Sequence, residues 1–568
     1  MLLGLFVDRL SWPENAAPRL DRAVVALFIG LTLISVMLLA LALLFPVSAA
    51  ALTAVLALIL AVTLAHAPTR SEFSGMISDL RAGRLLPGWL ALAALAAFSA
   101  ADRIKVYDTG LYHYPIARWL ATAGAVPGLA LLFENLGFTS SWFALTAALD
   151  HGPLLGRVSG VFNGLLVFAA ALHFSLAVSR VFQRRAARPD WFLAGAYPVV
   201  FALCWETNYQ TSLSPDLPAF LLTIALGWRL LTENASPVRR DTFRSNLTLL
   251  VLAGGAVDLK LSALPLLVAV LVLIAVRCRF QWRETLPAVF AGGLLAAPLP
   301  LVNIVTSGYA LYPSPLLAFG LPWTLPAAAV ARTGAMVANW ARCNGPCAVE
   351  VDGWNWVSAW MRAPQNALML LTGAGVLTLF LATRAWRLGR EMVWILALAE
   401  LGLVYVFLTA PNVRFAAGYV ALCAGLSLAL LGSKPVLSTA GSGLALAFAA
   451  ALCLELTLTA EPFVRGLSYA TSEAPRRLLA PAPLPSRASD PVILKNRRSF
   501  REVPLALASA TANGLDYLQP VGSDQCWGAP VPCIPGGLKP GVALRDSSRG
   551  LRGGFVPEPA HLRAELND

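Results

Sequence analysis

The chain has 568 residues, 57% of them hydrophobic and 13% charged. Soluble domains carry about twice that charged share, so an ordinary water-soluble enzyme is excluded. The net charge of +12 does not point to nucleic acid as a partner. Its arginines stand mainly in short loops between apolar runs, where they set topology, and no nucleic-acid module accompanies them.

Segment 1–22 is too polar and too long before its first apolar run to be a usual signal peptide, so the first helix is expected to be a retained anchor. Stretches 23–44, 158–178 and 367–383 lack Asp, Glu, Lys and Arg over about the length that crosses ~30 Å of hydrocarbon. Helices are predicted at 22–45, 48–66, 86–102, 158–180, 190–205, 216–232, 245–257, 262–277, 285–304, 366–383, 392–410, 415–431 and 440–459. That makes about thirteen crossings of an all-α polytopic membrane protein. No internal repeat of fixed period stands out.

Cations in short loops resist translocation. One side collects Arg9, Arg19 and Arg22, then Arg70, Arg81 and Arg84, Arg184, Arg185 and Arg188, Arg239, Arg240 and Arg244, Arg279 and Arg283, Arg384, Arg387 and Arg390, and Lys434. This side is expected to be cytoplasmic, with the N-terminus on it and the C-terminus outside. The short loops opposite carry almost no cations apart from Lys260 and Arg414. Residues 1–459 therefore form the membrane part, with long outer loops at 103–157 and 305–365. The tail, 460–568, is rich in Pro, Gly, Ser and Arg and is either a small outer domain or partly disordered.

Cys343 and Cys347, in ARCNGPC, and Cys526 and Cys533, in DQCWGAPVPC, all fall in outer segments. Two local disulfides are the simplest reading for an oxidising face. The alternative, zinc, requires both pairs to converge as four thiolates. Cys204, Cys278, Cys423 and Cys453 lie in or beside helices and read as packing residues.

The first outer loop begins RIKVYDTGLYHYPIARWL and puts Asp108 at the membrane surface. The pattern from Leu111 has an apolar face suited to a helix lying in the interface, and a second such helix fits 140–149. Asp108 has two readings: an N-cap for a helix starting near Leu111, or a general base that takes the proton of an acceptor hydroxyl. Position alone favours the cap.

An apolar helix that delivers an acidic residue to a first outer loop continuing as interface helices resembles the GT-C class of membrane glycosyltransferases. More narrowly, YDTGLYHYPIARWL, VPGLALLFENLGFTSSWFAL and DQCWGAPVPC resemble an uncharacterised bacterial family of multi-pass proteins assigned to that class. The resemblance implies residence in the bacterial inner membrane, a polyprenyl-phosphate sugar donor carrying a hexose or pentose, and Asp108 as the base. It implies a glycan, lipid or protein acceptor. Asp216, which opens a helix after an outer loop, resembles the class's second acidic position; its other reading is an N-cap. Lys260, in a turn at the outer face, is similar to a lysine of the class and is expected to bind the carrier phosphate or, alternatively, to snorkel to lipid headgroups. Arg414 either stabilises the departing phosphate or anchors a helix end. Tyr112, His113 and Glu206 are further candidates for substrate contact. No cofactor is certain: a divalent ion at Asp216 is an option, and no residue is assigned as a metal ligand.

Two other classes compete, a transporter or flippase of a lipid-linked substrate and a non-catalytic partner in polysaccharide assembly. Clustering of charge at one face favours interfacial chemistry over midplane transport. Reporter fusions within 107–115 are expected to report the outer side and fusions within 184–188 the cytosol; a cytosolic 107–115 segment removes the shared outer site.

Overall fold

In the computed structural model, which describes residues 1–11, 17–82, 86–233, 242–345, 347, 351–432, 491–496 and 499–557, the apolar runs fold as helices and the polar C-terminal part as small sheets. Helix α1 (Leu2–Ser11) lies along α2 (Arg19–Ala42), and α3 (Ala49–Ala65) and α4 (Ala67–Ala82) meet at a 94° bend. Pro68 stands within the first turn of α4, where its missing N–H costs nothing. Helix α5 (Leu86–Ala100) leads into the first long loop, which contains α6 (Tyr114–Thr122) and α7 (Ser141–Leu149). Then follow α8 (Val158–Phe182), α9 (Arg188–Thr207), α10 (Asp216–Glu233), α11 (Thr242–Leu259) and α12 (Leu264–Arg277).

Helices α13 (Trp282–Ala296) and α14 (Pro298–Ser307) are one predicted span broken in two, with a 45° bend. Pro298 cannot donate to the preceding turn, and the buried Asp258 of α11 accepts the Leu299 N–H at 2.7 Å, capping α14 from a neighbouring helix. The second loop carries α15 (Ala327–Cys343) and α16 (Val357–Met361), followed by α17 (Pro364–Ala382), α18 (Arg390–Thr409) and α19 (Val413–Gly432).

Helices α10 and α19 form the middle of the bundle: every residue of α10 is buried, and α19 packs against α9, α10, α17 and α18. Helices α9 and α19 approach closely, so that a Cβ on Gly195 would lie 2.6 Å from the Ala424 carbonyl oxygen. At one end of the bundle, ion pairs hold Arg9 and Arg22 of the predicted cytoplasmic set together with Arg180 and Arg277, which adjoin other members of that set in the chain. Glu72 pairs with Arg9 and Arg22, Arg180 bridges Asp21 and Asp190 at 2.6 and 2.7 Å, and Arg277 reaches Glu233 at 2.7 Å.

Among the described residues, five helices are long and apolar enough to cross a membrane, and seven if each bent pair is one span. The predicted helix at 440–459 lies outside the described residues. Both predicted loop helices are present, but they are not lipid-facing: α7 is buried from Ser141 to Ala148, and Tyr114, Ile116, Trp119 and Leu120 are buried in α6. Helix α7 packs against α2, α3, α6, α8 and α11, and Phe555 of the C-terminal region meets the Trp119 ring of α6 edge-on at 6.1 Å. An all-α description also needs correction at the C-terminus. There β1 (Pro491–Asn496) pairs with β2 (Ser499–Pro504), β3 (Leu507–Ala512) with β4 (Leu515–Pro520), and β5 (Val542–Leu544) with β6 (Phe555–Pro557), all antiparallel. Asn513 and Gly514, at φ 50° and 72°, make the two-residue turn of the second hairpin, the conformation that matches strand twist.

Gly195→Val is expected to lower the apparent melting temperature of the purified protein, because overpacking a tight contact costs about 1–3 kcal/mol. An unchanged melting curve refutes the close α9–α19 contact.

Candidate functional site

Four charged side chains from distant parts of the chain meet at the end of the bundle opposite the arginine-rich one. Asp216 is the first residue of α10, Arg414 the second of α19, Lys260 follows the last residue of α11, and Asp108 sits in the turn after α5. Arg414 donates from Nη1 to Asp108 Oδ2 and from Nε to Asp216 Oδ2, both at 2.8 Å. Lys260 pairs with the other oxygen of Asp216. The cluster holds two carboxylates and two cations, and its formal charge is zero.

Local sequence explains each placement. Ser214 Oγ donates to Asp216 Oδ2 at 2.7 Å, so this oxygen serves two donors while its carboxylate is fully buried. Asn412 Oδ1 accepts the Arg414 N–H at 2.9 Å, capping α19 and fixing where the arginine leaves the backbone. The aromatic rings of Tyr209 and Phe415 flank the guanidinium at 5.5 and 5.7 Å, and Lys260 Nζ stands 4.3 Å from the Phe415 centroid. Thr109 Oγ1 and Ser212 Oγ, 2.6 Å apart, tie the Asp108 turn to the loop before α10. The N-termini of α10 and α19 add positive potential at the same place.

Asp108 is not the N-cap that its position suggests. Its side chain makes no capping bond, the following turn (Thr109–His113) is a π-turn, and the carboxylate is spent on Arg414. About a quarter of the Asp108 side chain is exposed, while Asp216 has no exposure. Burial pushes the Asp108 carboxyl up, but Arg414 more than reverses this and holds it below the usual carboxylate range. Asp216 likewise spends both oxygens on side-chain donors.

Tyr112 and His113 line the wall beside Asp108. Tyr112 meets the His113 ring edge-on at 4.5 Å, and His113 lies 5.2 Å from the Phe143 ring. Burial pushes the His113 imidazole down to about 3, so the ring is neutral at physiological pH. Neither of its nitrogens has a hydrogen-bond partner among the described residues. Glu206 belongs to α9, and its side chain lies outside the described residues. His151 is exposed at the end of the first loop.

The cysteines pair locally, Cys343 with Cys347 and Cys526 with Cys533, which removes the four-thiolate zinc alternative. Cys204, Cys278 and Cys423 are buried free thiols; Cys453 lies outside the described residues. A divalent ion does not fit the carboxylates as they are engaged: cations occupy both oxygens of Asp216 and one of Asp108. Among the described residues no group of three or more His, Cys, Asp or Glu side chains converges on a metal position.

Sequence reasoning missed Ser214, Asn412 and Tyr209. The first two had a readable signal, a short polar residue two positions before a charged one at a helix start.

A family model described as Domain of unknown function (DUF8201) matches residues 1–421, and the chain belongs to that family. No curated protein matches the chain, and no solved structure does.

Asp216→Asn keeps the side-chain shape and deprives Lys260 of its paired carboxylate. Breaking a buried pair costs about 3–5 kcal/mol, so the variant is expected to melt well below the wild type. Adding Lys260→Met should recover part of that loss; a double variant no more stable than Asp216→Asn alone refutes the coupling.

Proposed function

We propose that this member of the DUF8201 family is a GT-C-type membrane glycosyltransferase, moving a hexosyl or pentosyl unit from a polyprenyl-phosphate carrier to an acceptor hydroxyl on the outer face of the bacterial inner membrane. The observation that carries the reading is the convergence of Asp108, Asp216, Lys260 and Arg414 at one end of the bundle. The reading includes about thirteen crossings, a cytoplasmic N-terminus and a periplasmic C-terminus. The acceptor is a glycan, lipid or protein of the cell envelope.

In the proposed reaction Asp108 takes the proton of the acceptor hydroxyl while that oxygen attacks the anomeric carbon. The bond from that carbon to the carrier phosphate oxygen breaks with its electron pair on the phosphate, and the configuration inverts. Polyprenyl phosphate is a stable anion, so the leaving group needs charge stabilisation more than a proton. Arg414 has a planar set of donors beyond the two already engaged, and Lys260 has further ammonium hydrogens. Asp216 keeps these two cations together against their mutual repulsion. Tyr112, His113 and Glu206 are candidates for contact with the sugar.

Transport of a lipid-linked substrate is the second reading, favoured by the two bent helix pairs α3–α4 and α13–α14, since broken helices are a mark of transporters. Asp108 separates the two, because a flippase needs no base.

Asp108→Asn is expected to reduce sugar transfer in membranes by about 10²- to 10⁴-fold, the usual share of general-base catalysis. Full activity in a folded variant removes the base. Arg414 depresses Asp108 in the free enzyme, so the carboxylate survives as pH falls and is protonated only below the ordinary aspartate value. The acid limb of kcat/KM is therefore expected below about pH 4. A carrier phosphate that draws Arg414 away releases Asp108 from that depression, which places the acid limb of kcat at a higher pH than that of kcat/KM.

A further inference from the structure

Each side of the Asp108–Arg414 pair is backed by a different disulfide-closed loop. Behind Asp108 stands the C-terminal loop closed by Cys526–Cys533. Gln525 Nε2 donates to the Tyr107 carbonyl at 2.7 Å and the Trp527 N–H donates to the Gly110 carbonyl at 2.9 Å, so the two bonds bracket Asp108 along the chain. The Trp527 ring is buried flat against Gly110, where a Cβ would lie 2.4 Å from ring atom Cε2. Behind Arg414, Cys343–Cys347 closes a turn whose Asn344 accepts from Asn412 Nδ2 at 3.2 Å, and Asn412 in turn caps the Arg414 backbone.

We propose that the Cys526–Cys533 loop is a positioning element for Asp108, with Trp527 as its wedge, so that the outer site is complete only when the oxidised C-terminal region is docked on the first loop. A disulfide spanning seven residues narrows the conformations open to Trp527. The residue is held at φ +50°, a left-handed conformation unfavourable to a bulky side chain. The loop is fastened on its far side to β4, where the Leu518 N–H donates to the Pro532 carbonyl at 2.9 Å and the Ile534 N–H to the Leu518 carbonyl at 2.8 Å. The β-region therefore supplies a rigid base and the disulfide a rigid tip. Without that tip, the Asp108 turn keeps the Thr109–Ser212 contact but loses the bonds on both sides of the carboxylate.

The consequence for catalysis rests on the glycosyl-transfer reading; the docking itself does not. The test is hydrogen-exchange mass spectrometry on the purified full chain in lipid nanodiscs. It compares wild type with Trp527→Ala, with Cys526→Ser plus Cys533→Ser, and with Gly110→Ala, which attacks the same contact from the other side. Exchange is expected to rise at least about tenfold within 107–110, where the loosened turn frees the Thr109 N–H from the Val106 carbonyl, and at the Trp527 N–H in the cysteine variant, the factor for one lost hydrogen bond's protection. Trp527→Phe, which returns an aromatic ring to the Gly110 contact, should restore most of it. The Cys343→Ser plus Cys347→Ser control should loosen 412–415 and leave 107–110 protected. Unchanged exchange at 107–110 in Trp527→Ala and in the Cys526/Cys533 variant overturns the proposal. With polyprenyl-phosphate hexose and pentose as probes, kcat should fall at least about tenfold on loss of the wedge, with KM for the donor unmoved. Looser exchange with an unaltered kcat overturns the positioning role. Absence of transfer by the wild type counts against the glycosyl-transfer reading and leaves exchange to decide the docking.

Discussion

The end of the bundle opposite the arginine-rich layer is organised by one carboxylate. Asp216 has no solvent exposure, yet it accepts from Lys260 on one oxygen and from Arg414 and Ser214 on the other. Two cations brought this close repel each other strongly in a medium of low dielectric, and a buried carboxylate without partners would neutralise itself by taking a proton. Each side of the arrangement supplies what the other lacks. Because α10, α11 and α19 each present one member at a helix end, the same ion pairs also fix how far those helices slide past one another.

The ionic groups at the other end have a different character. Arg9, Arg22, Arg180 and Arg277 are each paired with a carboxylate within a packed layer, among partners that a structural role accounts for. At the Asp216 end the donors of Arg414 and Lys260 exceed the acceptors they use, and Asp108 keeps part of its surface in solvent. Surplus donors beside a partly exposed carboxylate are a place where chemistry on an anionic substrate can occur. The arginine-rich layer is a fastening.

Long apolar runs were legible in the sequence because a chain that must satisfy its backbone without water has few options beyond helix; α2, α8, α17, α18 and α19 lie close to their expected bounds. The local disulfides were legible from the spacing of the cysteines together with their place in the long loop and tail rather than in the apolar helices. Helix α1 and helix α4 were not, because their charged residues read as loop and their partners, Glu72 with Arg9 and Arg22, are far apart in sequence. The break between α13 and α14 had a visible cause in Pro298, but its stabilisation by Asp258 comes from another helix. Asn513-Gly514 was a readable hairpin signal that the polar composition of the tail concealed. For the site, the candidate residues could be named singly, while their pairing is a tertiary fact. Asp108 shows this best: local pattern made it a cap, and a residue 306 positions away, Arg414, gave its carboxylate other work.

The neutrality of the four-residue cluster constrains any ligand that uses it. A phosphate entering beside Arg414 and Lys260 adds negative charge to a set whose charges already cancel, so its attraction cannot come from net charge and must come from exchange of partners. Asp216 is too enclosed to yield. Asp108 is the partner able to yield, being partly exposed and carried on a turn rather than on a spanning helix. An anion that replaces it at Arg414 gains a planar donor pair and at the same time returns basicity to Asp108. In the proposed glycosyl transfer, binding of the anionic carrier and activation of the base are then two sides of one exchange, with the Asp108–Arg414 contact holding the base quiet until the carrier replaces it.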